Sequence, residues 1–379
     1  MIGYGRQQID DQDIAAVAAV LKSDFLTAGP QVEAFEAVIK RVTGAAHAVA
    51  ISNGTSALKL LYQVAGIGPG KRVGVPAITF VATATQAALL GAEVVLLDVD
   101  PRTGCLTPEI LDACRERLDF VVPVHFAGRL CDLAGLAEVC RRKGILLLDD
   151  GAHSFGSTWG EVRSGDCRHS LGTIHSFHPV KNITTGEGGA VTTNDAAWAA
   201  KLRSARHHGI QREGWCGDLK DAEPGAPWYH EFHVPSTNER ISDINCALGI
   251  SQAAKLERFK AERAAQIARY RAELPSWIQA PAPAPGQDPF WHLCSAQADF
   301  PRIGLSRVEV VKRARAAGIA LMVHYLPLHH QPVLATACRA SSLAGADAAY
   351  PKILSLPCYP GLTADEQTSV IAFFRSLGS

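Results

Sequence analysis

Short apolar runs alternate with segments of helical periodicity through the first two thirds of the chain. Residues 71–76 read as a strand, followed by an alanine-rich helix over about 81–90. Then come a strand at 93–97, a helix at 107–117, a strand at 120–124, a helix at 132–143 and a strand at 144–149. Strands that alternate with helices of about ten residues imply parallel βαβ units. The run Ile145-Leu-Leu-Leu148 has no polar alternation, as befits a central strand covered on both faces. The rhythm changes near residue 250. One long amphipathic helix is predicted over 248–274, then an extended Pro281-Ala-Pro-Ala-Pro-Gly286 segment. Segments 291–300, 306–317 and 319–324 complete a small α+β unit. The expected architecture is a large α/β domain over 1–250, built on a mainly parallel sheet covered by helices, and a small C-terminal domain over 251–379.

Composition narrows the function classes. The 379 residues are 47% hydrophobic and 20% charged, and 37 basic residues balance 37 acidic ones. That charge balance gives no footing for a nucleic-acid partner. No apolar run approaches the ~20 residues of a membrane span, and the N-terminus lacks the apolar core of a signal peptide. The ten cysteines are scattered with no C-x-x-C pair, so reduced thiols and a cytoplasmic location are expected. None of the fourteen histidines stands in an H-x-x-x-H or H-E-x-x-H arrangement, so no metal is expected.

Candidate chemistry concentrates in a few stretches. Ser176-Phe-His-Pro-Val-Lys181-Asn-Ile-Thr-Thr-Gly186-Glu-Gly188-Gly189 sets one lysine in a glycine-rich loop between two strand-like runs. A lysine held there can form a Schiff base with an aldehyde cofactor, while the glycines allow close approach. Asn53-Gly54-Thr55-Ser56 ends a strand and opens a helix, where free N–H groups favour a phosphate. Asp149-Asp150 closes the apolar strand, at the edge where open α/β sheets bind ligands. Asp150 is placed to pair with a protonated pyridine nitrogen, and His153 to contact a ring hydroxyl. Phe80 heads a helix and is placed to stack on a flat ring. Each has a plainer reading: a surface lysine, an ordinary Asn cap, a capping aspartate, a satisfied core histidine, a core aromatic. The run Gly66-Ile-Gly-Pro-Gly70 follows its helix and lacks G-x-G-x-x-G spacing, which excludes a nicotinamide fingerprint.

Taken in order, these motifs resemble the DegT/DnrJ-type sugar-nucleotide aminotransferases. The likeness rests on Asn53-Gly-Thr-Ser-Ala-Leu58, Thr79-Phe80-Val-Ala-Thr83, the acidic pair with His153, the lysine loop, and Asn238-Glu239-Arg240-Ile-Ser-Asp243-Ile-x-x-Ala247-Leu-Gly249. It spans essentially the whole chain. The resemblance implies the aspartate-aminotransferase (type I) fold and pyridoxal 5'-phosphate (PLP) as cofactor, with Lys181 as the Schiff-base lysine and Asp150 as the pyridinium partner. It further implies cofactor contacts from His153 and Phe80, phosphate contacts from Gly54, Thr55 and Ser176, and a homodimer in which Asn238 reaches the neighbouring subunit's phosphate. Glu239 departs from the family, which usually carries an aromatic there.

Within the family the likeness is greatest to transaminases of the pseudaminic acid pathway, through Tyr4-Gly-Arg6, Asp24-Phe-Leu-Thr27-x-Gly-Pro30, Val124-His-Phe-Ala-Gly128, Pro227-Trp-Tyr229 and Val323-His324-Tyr325-x-Pro-x-His329. This implies L-glutamate as donor and a UDP-4-keto-6-deoxy-N-acetylhexosamine as acceptor, with Tyr4, Thr27 and His324 on the substrate side. The phosphate loop departs, with Asn-Gly-Thr where that subgroup often has Ser-Ala-Thr. Another nucleotide-linked 3- or 4-keto sugar, and a PLP-binding protein without turnover, stay open. A sugar dehydratase of the same family is disfavoured, because known examples put histidine where this chain has Lys181. The segment 211–228 reads as a substrate lid or a surface excursion.

Overall fold

The computed structural model describes residues 1–211, 223, 226–339 and 342–378; of Cys338 and Arg339 only the backbone is described. The expected lid falls mostly outside the described residues. The main sheet is continuous through the segment 146–150. Leu146–Leu147 pairs in parallel with Phe120–Val121, which lies beside Arg72–Pro76, Glu93–Leu97 and Cys338–Arg339, all parallel. Two residues on, Asp149–Asp150 pairs in parallel with Thr173–Ser176. Beyond that strand lie Gly189–Thr193, the one antiparallel member, and then His47–Ile51. The expected strand at 120–124 is shorter because Pro123 has no N–H to give the ladder; only Val124 is bridged again, to Asp150.

Local chemistry accounts for the helices that flank this sheet. Gly54–Ala65 starts where Asn53 Oδ1 accepts the Ser56 N–H at 2.8 Å and stops at Gly66, whose φ of 82° a side chain would resist. Leu133–Lys143 is likewise capped by Asp132 and ended by Gly144. The helix expected over 107–117 is confined to Pro108–Ala113.

The long helix expected over 248–274 is instead two, Asp243–Ala253 and Leu256–Glu273. No glycine or proline breaks it. Lys255 sits at the joint with its ammonium 2.5 Å from Asp13 and 2.9 Å from Asp10. A buried carboxylate on the helix Asp11–Leu21 therefore claims a lysine that helical propensity alone would place on the polar face.

A second core gathers Tyr270, Trp277, Phe300 and Phe374, with Ile2 packed against it, under a three-stranded antiparallel sheet of Ile278–Gln279, Cys294–Ala298 and Ile353–Leu356. The segment 319–324, expected as part of the small unit, makes only single bridges from Ile319 to Ile2 and from Met322 to Ser355. We propose that this second core is the small domain expected from residue 251. Leu328, Leu334, Leu343 and Ala346, however, belong to the core of the large sheet. Eight described cysteine side chains are buried and free. Among the described residues, no helix is long and apolar enough to cross a membrane.

Candidate active site

The ends of the central strands open into a cavity of about 670 Å³ lined by Tyr4, Gly54, Thr55, Phe80, Asp150, His153, Ser176, Lys181 and His324. Nine of the residues expected from the sequence thus meet in one place. Two do not. Asn238 is exposed and lies outside this cavity. Thr27 lines a separate depression with Arg206, His207 and Arg240. The segment carrying Thr27 is drawn there because the Asp243 carboxylate accepts the N–H groups of Gly29 and Gln31 at 2.8 and 2.9 Å. The expected substrate-side position of Thr27 is therefore not met within its own protomer.

Lys181 leaves the sheet after Thr173–Ser176, and its loop is closed by backbone hydrogen bonds from Phe177 to Gly188 and from Thr185 to Phe177. Gly186 turns the loop at φ +80°, and a Cβ on Gly189 would lie 2.5 Å from the Asn53 carbonyl group. The glycines therefore let the lysine hairpin touch the loop that opens helix Gly54–Ala65. From behind, the fully buried Arg263 donates to the carbonyls of Lys181, Trp291, His292 and Cys358 at 2.9–3.4 Å.

Electrostatics differentiate the groups. Burial lowers the Lys181 amine to about 8, opposed by the Asp150 charge. Burial also raises Asp150 above its ordinary value, although the Ala152 N–H and Thr83 hydroxyl donate to its two oxygens at 3.0 and 2.9 Å. A cation at that carboxylate, such as a protonated ring nitrogen, would offset the cost of burying it. Strand alternation sends Asp149 to the other side, where it binds His125 and Thr173. His153 is held neutral by burial. Its Nδ1 accepts the Ala127 N–H at 3.3 Å, so Nε2 carries the proton and donates to the Tyr325 hydroxyl at 3.1 Å. That leaves the Tyr325 O–H free to donate into the cavity.

Several lining residues had no assigned role in the sequence. Thr83, Glu187 and Tyr325 lie within the motifs but carry no role there, and His292 lies outside them; all four line the cavity. His292 lies with its ring 4.4 Å from that of His153 and is likewise held neutral by burial. Glu239, the departure from the family pattern, accepts from the Ser56 and Ser52 hydroxyls at 2.6 and 3.2 Å and from Lys59 at 3.0 Å. It clamps the segment bearing Asn238 onto the helix whose N-terminus enters the cavity.

The low amine value has a measurable consequence. Cofactor uptake by the apo-protein should quicken as pH rises through about 8, where half of Lys181 is neutral. Unfolded lysine keeps its proton to about 10.4, so this group also makes the folded apo-protein gain stability from pH 8 upward. A rate midpoint near the unfolded value, in stopped-flow binding of PLP, would refute the desolvation.

A PLP-sized group fits these residues. The helix N-terminus at Gly54 and Thr55 offers unpaired N–H groups to a phosphate, the buried carboxylate offers a partner for a ring nitrogen, and a half-buried amine lines the space between.

Comparison with known proteins agrees with this geometry. Residues 7–375 match the model of the DegT/DnrJ/EryC1/StrS aminotransferase family. Helicobacter pylori PseC, an aminotransferase involved in the biosynthesis of pseudaminic acid, superposes with a TM-score of 0.88 at 26% identity, over 98% of this chain and 99% of that one. DesV of S. venezuelae gives 0.85 at 29% identity, covering 99% of each chain. Spr1654 of Streptococcus pneumoniae in its PLP form gives 0.88 at 25%, over 99% and 97%. The chain belongs to the DegT/DnrJ/EryC1/StrS aminotransferase family and is a PLP-dependent sugar aminotransferase of the type I fold.

Proposed function

We propose that the enzyme moves the amino group of L-glutamate to the 4-keto carbon of a UDP-4-keto-6-deoxy-N-acetylhexosamine, the reaction of the pseudaminic acid pathway. The carrying observation is that Tyr4 and His324, from opposite ends of the chain, meet in the Lys181 cavity with ring centroids 5.0 Å apart and planes tilted at 54°. They offer a wall for a sugar beside Tyr325, the partner of His153. The likeness to PseC supports the acceptor. The family match leaves a second reading, another nucleotide-linked keto sugar in the same cavity.

PLP, when bound, supplies an electron sink conjugated to the amine being transferred. The residues supply the rest. The N–H groups of Gly54 and Thr55 and the Ser176 hydroxyl would hold the phosphate. Asp150 would keep the ring nitrogen protonated, Phe80 would cover the ring, and His153 with Tyr325 would hold its edge. Lys181 Nζ takes the proton from the α-carbon of glutamate, and in the second half-reaction delivers one to C4 of the sugar. Its loop is tied at both ends, which suits proton transfer between fixed points.

We also infer a homodimer with shared sites. Asn238 is exposed and lies outside its own cavity, and Arg240, two residues on, lines the Thr27 depression. Held there by Asp243 and Glu239, both segments are available to a neighbouring protomer's cavity.

Initial rates with a panel of UDP- and dTDP-linked 3- and 4-keto sugars test the acceptor. The UDP-4-keto-N-acetylhexosamine should give the highest kcat/KM. A 3-keto or dTDP-linked sugar exceeding it by ~10-fold or more, a margin of about 1.4 kcal/mol in transition-state binding, would replace this substrate with the alternative.

A further inference from the structure

Of the fourteen histidines, only His153, His178, His292 and His324 line the catalytic cavity. His329 and His330 are consecutive in the 3-10 turn Leu328–His330, with ring centroids 4.3 Å apart. Neighbours in such a turn point roughly 120° apart around its axis. Here both rings nevertheless bring Nε2 to the same oxygen, Oδ1 of Asp347, at 2.8 and 3.7 Å. The three potential ligand atoms all lie within 4.8 Å of one another.

A hydrogen-bonded His–Asp pair explains the first ring. It does not explain the second ring turned to the same oxygen. An ion does: donors at about 2.0–2.2 Å from a tetrahedral zinc ion stand roughly 3.3–3.6 Å apart. The present spacings bracket that value. Adjustment is open to the exposed partners, since the side chains of His330 and Asp347 are 42% and 52% exposed while that of His329 is 4% exposed. The exposed side leaves an entry path and a fourth position for water. Among the described residues no hydrogen bond holds His329 Nδ1, so the polar anchoring of that ring lies on the Asp347 side.

Both halves of the cluster are fixed to the large domain. The Leu328 N–H donates to the Ala77 carbonyl at 2.8 Å, tying the turn to the main sheet. The helix Ala344–Ala349, which carries Asp347, is capped by Asp98, whose carboxylate accepts the Gly345 and Ala346 N–H groups at 2.8 Å each. No local pattern points to this cluster, because adjacent histidines and an aspartate seventeen positions on match no short-range metal spacing.

We propose that His329, His330 and Asp347 bind a divalent transition-metal ion of the zinc type, outside the catalytic cavity, with three protein ligands and an open fourth position. Two imidazoles and one carboxylate suit such an ion better than magnesium or calcium, which prefer all-oxygen shells. Bound there, the ion staples the turn after Tyr325 to the helix Ala344–Ala349.

The test is equilibrium dialysis of the PLP-loaded enzyme against Zn²⁺, with bound metal measured by elemental analysis and thermal unfolding followed in parallel. Wild type should hold one zinc per chain and gain Tm. His330→Ala and Asp347→Asn should each weaken binding by at least ~10-fold and abolish the gain in Tm, while amino transfer without zinc stays at the wild-type rate. Absence of stoichiometric zinc in wild type would overturn the proposal. So would undiminished binding in both variants, which would place the ion on other histidines or on cysteines.

Discussion

Lys181→Ala should lose amino transfer by ~10³–10⁴-fold or more, because one residue supplies both the covalent anchor and the proton carrier. The fold should survive. The Lys181 side chain lines a cavity and contributes no hydrogen bond among the described residues, and its loop is closed by backbone bonds and by Arg263. Circular dichroism and Tm should therefore match wild type. A small primary amine in the buffer should restore part of the proton transfer, since the cavity vacated by the side chain is open to solvent. Turnover within ~10-fold of wild type in the purified variant would remove Lys181 from the chemistry.

Arg263→Ala should act on stability instead. Its guanidinium is buried and donates to four carbonyls drawn from three parts of the chain: the lysine loop, residues 291–292 and Cys358. Removing it strands those acceptors and leaves a void, at a cost of about 3–5 kcal/mol. A Tm drop of about 4–6 °C is expected for a chain of 379 residues. Because Lys181 and His292 are among the residues held, PLP affinity should fall as well. Arg263→Lys keeps the charge without the planar fork and should recover only part of both losses. Differential scanning calorimetry decides this, and a Tm within ~2 °C of wild type would show that the carbonyls find other donors.

The groups that announced themselves in the sequence were those whose chemistry is set by their immediate neighbours. Lys181 stands out because glycines follow it between two strands, and Asn53 because a helix opens after it. Asp150 lies at the end of an apolar run, and alternation along that strand separates it from Asp149. Nine of these expected residues line one cavity. The rest depended on tertiary contacts that no local pattern records. Thr83, Tyr325 and His292 complete the surroundings of Asp150 and His153 from segments 67, 172 and 139 positions away. The break at Ala254–Lys255 arises from a buried ion pair with Asp13, not from any helix-breaking residue. Thr27 was placed by its motif, but the Asp243 carboxylate draws its segment elsewhere. Glu239 reads as an anomaly in sequence and as a clamp on Ser52, Ser56 and Lys59 in the fold.

The most direct test of the central claim is to follow the nitrogen itself. The purified enzyme would be given PLP, ¹⁵N-labelled L-glutamate and the UDP-4-keto-6-deoxy-N-acetylhexosamine, and the products read by mass spectrometry. The label should appear on the sugar nucleotide in step with release of unlabelled 2-oxoglutarate, and neither product should form with Lys181→Ala. Unlabelled sugar alongside unconsumed glutamate, from protein that has bound PLP, would contradict amino transfer and bring forward a cofactor-binding role without turnover.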